Sequence, residues 1–179
     1  MMFDGFRAAL VLAGVLVAGI PSVFAQTALE YLQNGNDAFK QGDYKEAVYN
    51  YTKAIDANPN YAKAYDNRGV AYARQGFFDP AISDFTLAIA NNPNDADAYN
   101  NRGHAYAQKD NLDQAIADYT KAVRINAIYV KAYNNRAEAF YDLKEYTKAW
   151  ADVHKVQKIG GRTDQDFIGD LKKASGQDQ

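Results

Sequence analysis

The chain has 179 residues, of which 47% are hydrophobic and 23% charged, so it can bury a core within one domain and is not expected to be disordered. Its net charge of −2 comes without a run of like charges, which argues against a nucleic-acid partner because a phosphate backbone requires a basic surface. The chain contains no cysteine, so disulfides, thiol catalysis and cysteine-bound metals are excluded.

The segment 1–25 has the pattern of a secretory signal peptide. A short head with Arg7 precedes an unbroken apolar run over 8–20, which Pro21 ends. Small residues follow at Val23 and Ala25, so we predict cleavage after Ala25 and a periplasmic or secreted mature protein. The run is short for a bilayer span, so no membrane span is expected after cleavage. The alternative is a protein that its uncleaved signal anchors in the membrane.

The rest of the sequence is built from an internal repeat of constant length. The repeat divides it into four units, which are 28–61, 62–95, 96–129 and 130–163. The recurring positions include Tyr31, Tyr65, Tyr99 and Tyr133, then Gly35, Gly69, Gly103 and Ala137, and then Ala47, Ala81, Ala115 and Ala149. Such a period predicts supersecondary units that bury their apolar faces only against their neighbours, so the fold is a stack.

Each unit has the pattern of an antiparallel helix pair. In the second unit, Tyr65, Gly69 and Tyr72 have the spacing i, i+4 and i+7, which places them on one face of a helix. Ala81 and Phe85 begin the same spacing on the following helix. We expect the small residue to let the two helices approach closely.

A short helix is predicted after the fourth unit, over 164–174, with a flexible tail over 175–179. Thr163 to Asp166 resembles a capping box, and Phe167, Ile168 and Leu171 form an apolar stripe. A stack of repeats needs a terminal cap with a polar outer face, and this segment fits that role.

The recurring order of aromatic, Gly, Tyr, Ala, aromatic, Ala and Pro resembles the tetratricopeptide repeat over 28–163. The resemblance implies an all-α fold: a right-handed α-solenoid of four helix-turn-helix units with a C-terminal capping helix. Ala127 departs from the pattern where proline is expected, and Ala137 departs where glycine is expected. With the signal peptide, the chain looks like an exported single-domain member of this family.

Arginine replaces the leucine that is common in the family just before the small residue of units two to four. An aspartate follows each arginine at the same offset on the second helix, in the pairs Arg68 and Asp84, Arg102 and Asp118, and Arg136 and Asp152. The first unit has Asn34 and Asn50 at these two positions, so both partners change together. We therefore predict a structural pair inside each unit; a ligand contact is the alternative role of the arginines.

No arrangement of side chains indicates catalysis, a metal site or a cofactor. His104 and His154 lie in different units, with no carboxylate pair at metal-binding spacing, and the glycines mark the repeat rather than a phosphate loop. His104 is expected to line the concave face as an ordinary polar residue, and His154 is expected on the outer surface.

In the family the first helix of each unit lines a concave groove. Carried over by position, the resemblance implies these partner-binding residues: Asn36, Lys63, Asn67, Arg74, Asn100, Asn101, His104, Lys131, Asn134 and Asn135. Among them, Asn67, Asn101 and Asn135 recur once per unit, and we call them the asparagine ladder. An amide both donates and accepts hydrogen bonds, which suits the main chain of an extended peptide. The alternative is a solvated polar face without a ligand.

Some cytosolic members of the family clamp a C-terminal carboxylate with Lys, Asn, Asn, Lys and Arg at fixed groove positions. The corresponding residues are Leu32, Asn36, Asn67, Asp97 and Asn101 in units one to three, and Asp66, Val70, Asn101, Lys131 and Asn135 in units two to four. Only two of the five match in either register, so the clamp is not expected here.

The function expected from these patterns is a non-enzymatic scaffold in the cell envelope, which binds an extended peptide or a helix of another protein in the groove. One alternative is a binder of cell-wall or glycan material, which would use Phe39, Tyr141 and the asparagine ladder. Another is a structural subunit that forms homo-oligomers through exposed helix faces. The sequence does not identify the partner.

Overall fold

The structure, a computed structural model, describes residues 27–176, and every regular element in that range is a helix. The helices are α1 over 27–40, α2 Tyr44–Ala57, α3 Ala62–Arg74, α4 Phe78–Asn91, α5 Ala96–Ala107, α6 Leu112–Ile125, α7 Val130–Asp142, α8 Tyr146–Lys158 and α9 Gln165–Ser175. The predicted all-α solenoid is confirmed. The predicted signal peptide and the end of the predicted tail lie outside the described residues. Within the described range, none of the helices has the length and apolar character needed to cross a membrane.

The helices stack in chain order. Short loops join the two helices of each unit, and the second helix of a unit packs against the first helix of the next, as in α2 on α3, α4 on α5 and α6 on α7. The first helices also touch one another across units, in the pairs α3 with α5 and α5 with α7. The first helices therefore form one continuous face, which is the groove of the stack.

A glycine and an aromatic ring bring the two helices of a unit together. The ring of Phe85 is 1% exposed and lies directly over Gly69, where an added Cβ atom would be 2.7 Å from the ring atom Cε1. The same contact joins Gly35 to Tyr51 and Gly103 to Tyr119. The predicted close approach at the small residue is therefore present, and the ring fills the space that a side chain would need.

The predicted pairing of arginine with aspartate is confirmed, and a third residue joins it. Arg102 donates from Nε and Nη2 to the two carboxylate oxygens of Asp118, at 2.7 and 2.8 Å. Its Nη1 donates to Thr86 Oγ1 at 3.1 Å, on the second helix of the preceding unit. We call this contact the Arg–Asp–Thr bridge, and it recurs as Arg68, Asp84 and Thr52 and as Arg136, Asp152 and Thr120. Each bridge holds three helices, because the threonine belongs to a neighbouring unit.

Helix α9 covers the end of the stack. Leu171 is fully buried against Trp150 and Val153 of α8. The predicted capping box is wrong in detail, because the N-cap residue is Asp164, whose carboxylate accepts from the backbone of Asp166 and Phe167. The helix therefore begins one residue later than a cap at Thr163 would require.

Candidate groove for a partner segment

Two adjoining cavities lie along the groove. The first cavity has a volume of about 240 Å³ and is lined by Asn36, Phe39, Lys40, Tyr51, Asn67 and Val70. The second cavity has a volume of about 450 Å³ and is lined by Val70, Ala73, Arg74, Phe78, Phe85, Asn101, His104, Gln108, Lys131 and Asn135. Val70 lines both, so the two cavities are parts of one surface that crosses all four units.

The asparagine ladder ties neighbouring units together. Each ladder amide donates from Nδ2 to the preceding first helix: Asn67 to Asn36 at 2.8 Å, Asn101 to Asp66 at 3.0 Å, and Asn135 to Asn100 at 2.9 Å. Replacing the ladder would therefore loosen the stack as well as alter the groove. Ladder variants cannot isolate binding from stability.

Asn100 and Asn134 were predicted as contact residues, and the structure places both of them in packing roles. Asn100 is 0% exposed, so a partner cannot reach it directly and it acts only through Asn135. Asn134 donates from Nδ2 to the carbonyl oxygen of Arg162 at 2.9 Å and accepts from Thr163 Oγ1 at 2.8 Å. These contacts join α7 to the segment before α9. Both residues therefore support the groove through hydrogen bonds to neighbouring segments.

Lys63 neutralises a buried carboxylate. Its Nζ atom lies 3.2 Å from Oδ2 of Asp66, whose side chain is 3% exposed. Burial raises the pKa of Asp66, and the hydrogen bonds from Lys63 and Asn101 only partly oppose that effect. Lys63 is therefore committed to Asp66 and is a weaker candidate for partner binding than its exposure suggests.

The raised pKa of Asp66 leads to a prediction about stability and pH. A carboxyl group whose pKa is higher in the folded state binds more protons there, so it lowers stability above that pKa and the penalty disappears as the pH falls through it. Asn100 and Asn134 occupy the equivalent position in the next two units. Asp66→Asn should therefore raise the thermal midpoint at about pH 7, and the gain should shrink towards about pH 4.

Thermal unfolding of both proteins at the two pH values checks this prediction, with Asp56→Asn on an exposed side chain as the matched control. A midpoint that falls at neutral pH would show that the ion pair with Lys63 outweighs the burial of the charge.

Three basic side chains converge on the second cavity from three different units, and we call them the basic cluster: Arg74 on α3, His104 on α5 and Lys131 on α7. All three are exposed. Partial desolvation lowers the pKa of His104, and the charges of Lys131 and Arg74 lower it further. The structure records no ion pair or side-chain hydrogen bond for any of the three within the described residues. The cluster is therefore a patch of unbalanced positive charge.

The end of the groove near the fourth unit has the opposite character. Burial raises the pKa of Glu138, and the nearby carboxylates of Asp142 and Asp164 raise it further. Along α7 the charge therefore changes from positive at Lys131 to negative at Glu138 and Asp142.

The two aromatic residues proposed for glycan binding have different environments. Phe39 lines the first cavity and its ring centroid lies 5.2 Å from that of Tyr44. Tyr141 packs between Tyr146 and Phe167, with both centroids at 5.7 Å, so the capping helix occupies one edge of its ring. Phe39 is therefore open to a cavity, whereas Tyr141 packs against the capping helix.

Sequence reasoning missed Tyr51, Lys40 and Phe78 as groove residues. Tyr51 is only 2% exposed, yet it lines the first cavity and its hydroxyl donates to Asn36 Oδ1 at 2.9 Å. Lys40 and Phe78 lie at the end of α1 and the start of α4, where the loop decides which side chains reach the cavities. One sequence signal could have identified Lys40 as a groove residue: a cation recurs at equivalent positions of the first two units, as Lys40 and Arg74.

Other chemistry is not indicated within residues 27–176. In this range the structure brings together no cluster of three or more His, Asp or Glu side chains that could hold a metal ion. His154 is exposed and stacks on Trp150, with ring centroids 5.6 Å apart.

Comparison with known proteins agrees with this architecture. Family descriptions match in three stretches: "TPR repeat" over 35–76, and "Tetratricopeptide repeat" over 62–95 and 96–127. A solved structure of the first TPR domain of Spaghetti (RPAP3), bound to the HSP90 peptide SRMEEVD, is 36% identical, with a TM-score of 0.66. The match covers 66% of this chain and 94% of that one. The chain therefore belongs to the tetratricopeptide repeat family.

Two further similarities are limited, the first by its short length and the second by its low sequence identity. The Hsp70-Hsp90 organizing protein 1 of Arabidopsis thaliana is 49% identical over 45 residues, which are 25% of this chain. The chain spans only 8% of the length of that curated relative. The MamA protein shares the fold, with a TM-score of 0.74 over 84% of both chains at 24% identity.

Proposed function

We propose that this chain is a non-enzymatic interaction protein, exported to the cell envelope, which binds an extended segment of another protein along the groove. The observation that carries this proposal is that some groove side chains are bonded within the protein whereas others are left exposed. The asparagine ladder and Lys63 bond inward, whereas Arg74, His104, Gln108 and Lys131 make no ion pair or side-chain hydrogen bond that the structure records in the described range. A floor that is internally bonded and a set of exposed polar groups above it suit a preformed binding surface.

The likeness to a TPR domain that is bound to a peptide supports an extended segment as the ligand. The ligand itself is expected to differ. At the positions where the family's carboxylate clamp has lysine, this chain has Leu32 and Asp97, or Asp66 and Lys131. The chain therefore offers the groove of the family with a different arrangement of charge.

Export rests on the sequence of the segment 1–25. The apolar run over 8–20 and the small residue at Ala25 support cleavage by a signal peptidase and a partner in the envelope. Self-association through exposed helix faces is the alternative function.

A site-specific crosslink tests groove binding, because the chain has no cysteine and one can be introduced without interference. Gln108→Cys carries a photo-reactive group into the second cavity. Incubated with a mixed library of peptides of about ten residues, long enough to cross both cavities when extended, this variant should form crosslinks that excess unlabelled peptide suppresses.

Gln114→Cys is the matched control, because Gln114 is equally exposed but lies on the outer helix α6. Crosslinks of equal yield at both positions, or none at Gln108, would show that the groove is not the peptide-binding surface.

A further inference from the structure

The two cavities of the groove differ in chemistry although they share Val70. The first cavity is walled mainly by Phe39, Tyr51 and Val70, and carbon atoms dominate its surface. The second cavity contains the basic cluster together with the polar side chains of Asn101, Gln108 and Asn135. A segment that crosses Val70 therefore meets an apolar site and then a polar, positively charged one.

The three side chains of the basic cluster make no ion pair with any described residue. Asp66, the acidic neighbour nearest in sequence to the ladder, is buried and already neutralised by Lys63. Burial lowers the pKa of His104, and repulsion from the charges of Lys131 and Arg74 lowers it further. A carboxylate placed among them would remove that repulsion and gain charge-assisted hydrogen bonds.

We propose that the groove recognises an extended segment with an apolar side chain in the first cavity and the carboxylate of an aspartate or glutamate in the second. This proposal rests on the groove being the binding surface. Neighbouring packed helices lie about 8–10 Å apart, and an extended chain advances about 3.3 Å per residue. The apolar and acidic residues are therefore about three positions apart in the bound segment.

The carboxylate belongs to a side chain inside the segment rather than to the end of a chain. The second cavity already includes Lys131 and Asn135 of α7, and Glu138 and Asp142 follow on the same helix. The negative charge there repels a terminal carboxylate that projects beyond the basic cluster. Asp66 and Val70 also occupy two positions at which the carboxylate clamp of the family has lysine and asparagine.

A positional library tests the proposal directly. The probes are acetylated and amidated peptides of about ten residues, so no terminal carboxylate is present. In each sublibrary one position is fixed as Asp, Glu, Lys, Leu, Phe or Ala, and binding to the full chain is followed by fluorescence anisotropy. We expect selection of Asp or Glu at one position and of Leu or Phe about three positions away.

Reversing the charge should reverse the selection. Arg74→Glu with Lys131→Glu should weaken binding of the selected acidic peptide by about tenfold or more and should favour Lys at the same position. Lys45→Glu with Arg124→Glu, which changes two exposed cations on the outer helices α2 and α6, should change neither result. If circular dichroism shows that the double glutamate variant is not folded, Arg74→Gln with Lys131→Gln replaces it and should lose the acidic preference.

A second readout is the pH dependence of binding. The charged groups that face His104 are Arg74 on α3 and Lys131 on α7. A bound carboxylate favours the protonated imidazole, so affinity for the acidic peptide should rise as the pH falls from about 7.5 to about 5.5, where the peptide carboxylate stays ionised. His104→Gln should remove most of that rise.

The outcomes separate this proposal from the groove proposal. No preference for an acidic residue, a preference that survives charge reversal, or binding only to peptides with a free terminal carboxylate would each overturn it. Peptides that crosslink at Gln108→Cys without charge selection would leave groove binding intact and overturn only the recognition of an acidic side chain. The absence of any crosslink would overturn both.

Discussion

Asp118→Ala should lower the free energy of unfolding by about 3 kcal/mol or more, because it leaves the guanidinium of Arg102 without its partner in a poorly hydrated place. The two side chains are only 18% and 9% exposed, and the two hydrogen bonds between them are lost together. Arginine keeps its proton in proteins even without a partner, so Arg102 cannot escape the cost by becoming neutral. Urea denaturation followed by circular dichroism measures the effect.

Asp113→Ala is the matched control, because Asp113 is an exposed aspartate on the same helix. A loss of less than about 0.5 kcal/mol is expected there. The double variant Arg102→Leu with Asp118→Ala should recover part of the loss, since it removes the stranded charge. If the two single effects simply add, the direct interaction between the two residues makes no contribution and the interpretation is wrong.

Gly69→Ala should lower the free energy of unfolding by about 1–3 kcal/mol, although alanine ordinarily stabilises a helix relative to glycine. The added Cβ atom would lie 2.7 and 2.9 Å from two carbons of the Phe85 ring, closer than side-chain atoms pack. Leucine at this position should cost more. Gly169→Ala in α9 is the control, because an added Cβ atom there contacts nothing within 4 Å and should stabilise the helix.

The fourth unit suggests how this effect can be reversed. It has Ala137 and Val153 at the positions of Gly69 and Phe85. Where the first position gains a methyl group, the side chain that packs on it is therefore smaller. Phe85→Val should therefore cost less in the Gly69→Ala background than in the wild type. Thermal unfolding of the four proteins provides the test, and equal costs in both backgrounds would show that the ring does not limit the residue at position 69.

The repeat made most of the fold predictable, because both its period and its internal offsets are constant. The constant offset between arginine and aspartate identified the partners of Arg68, Arg102 and Arg136 from the sequence alone. The same period contained Thr52, Thr86 and Thr120, but their role depends on contacts between units. A pattern inside one unit cannot show which residues meet across the boundary to the next.

The groove residues were harder to predict, because neighbouring positions on the groove side of a helix can differ widely in burial. Asn100 and Asn101 are adjacent in sequence, yet one is fully buried and the other lines the second cavity. The acceptor of Asn67 also differs from that of Asn101: it is Asn36, since Leu32 stands where the second unit has Asp66. Such differences follow from the pitch of the stack and from single substitutions, which the period does not encode.

The Arg–Asp–Thr bridge has a consequence for how the molecule opens. A repeat array behaves as a row of units coupled only to their neighbours, and strong coupling makes the loss of an interior unit costly. The bridges cross every boundary from the first unit to the fourth and then stop, because His154 occupies the next threonine position and α9 covers the end. Amide hydrogens along the interior helices should thus exchange in one concerted event, while α9 should lose its protection first. A partner bound in the groove would then slow amide exchange in all the interior helices together.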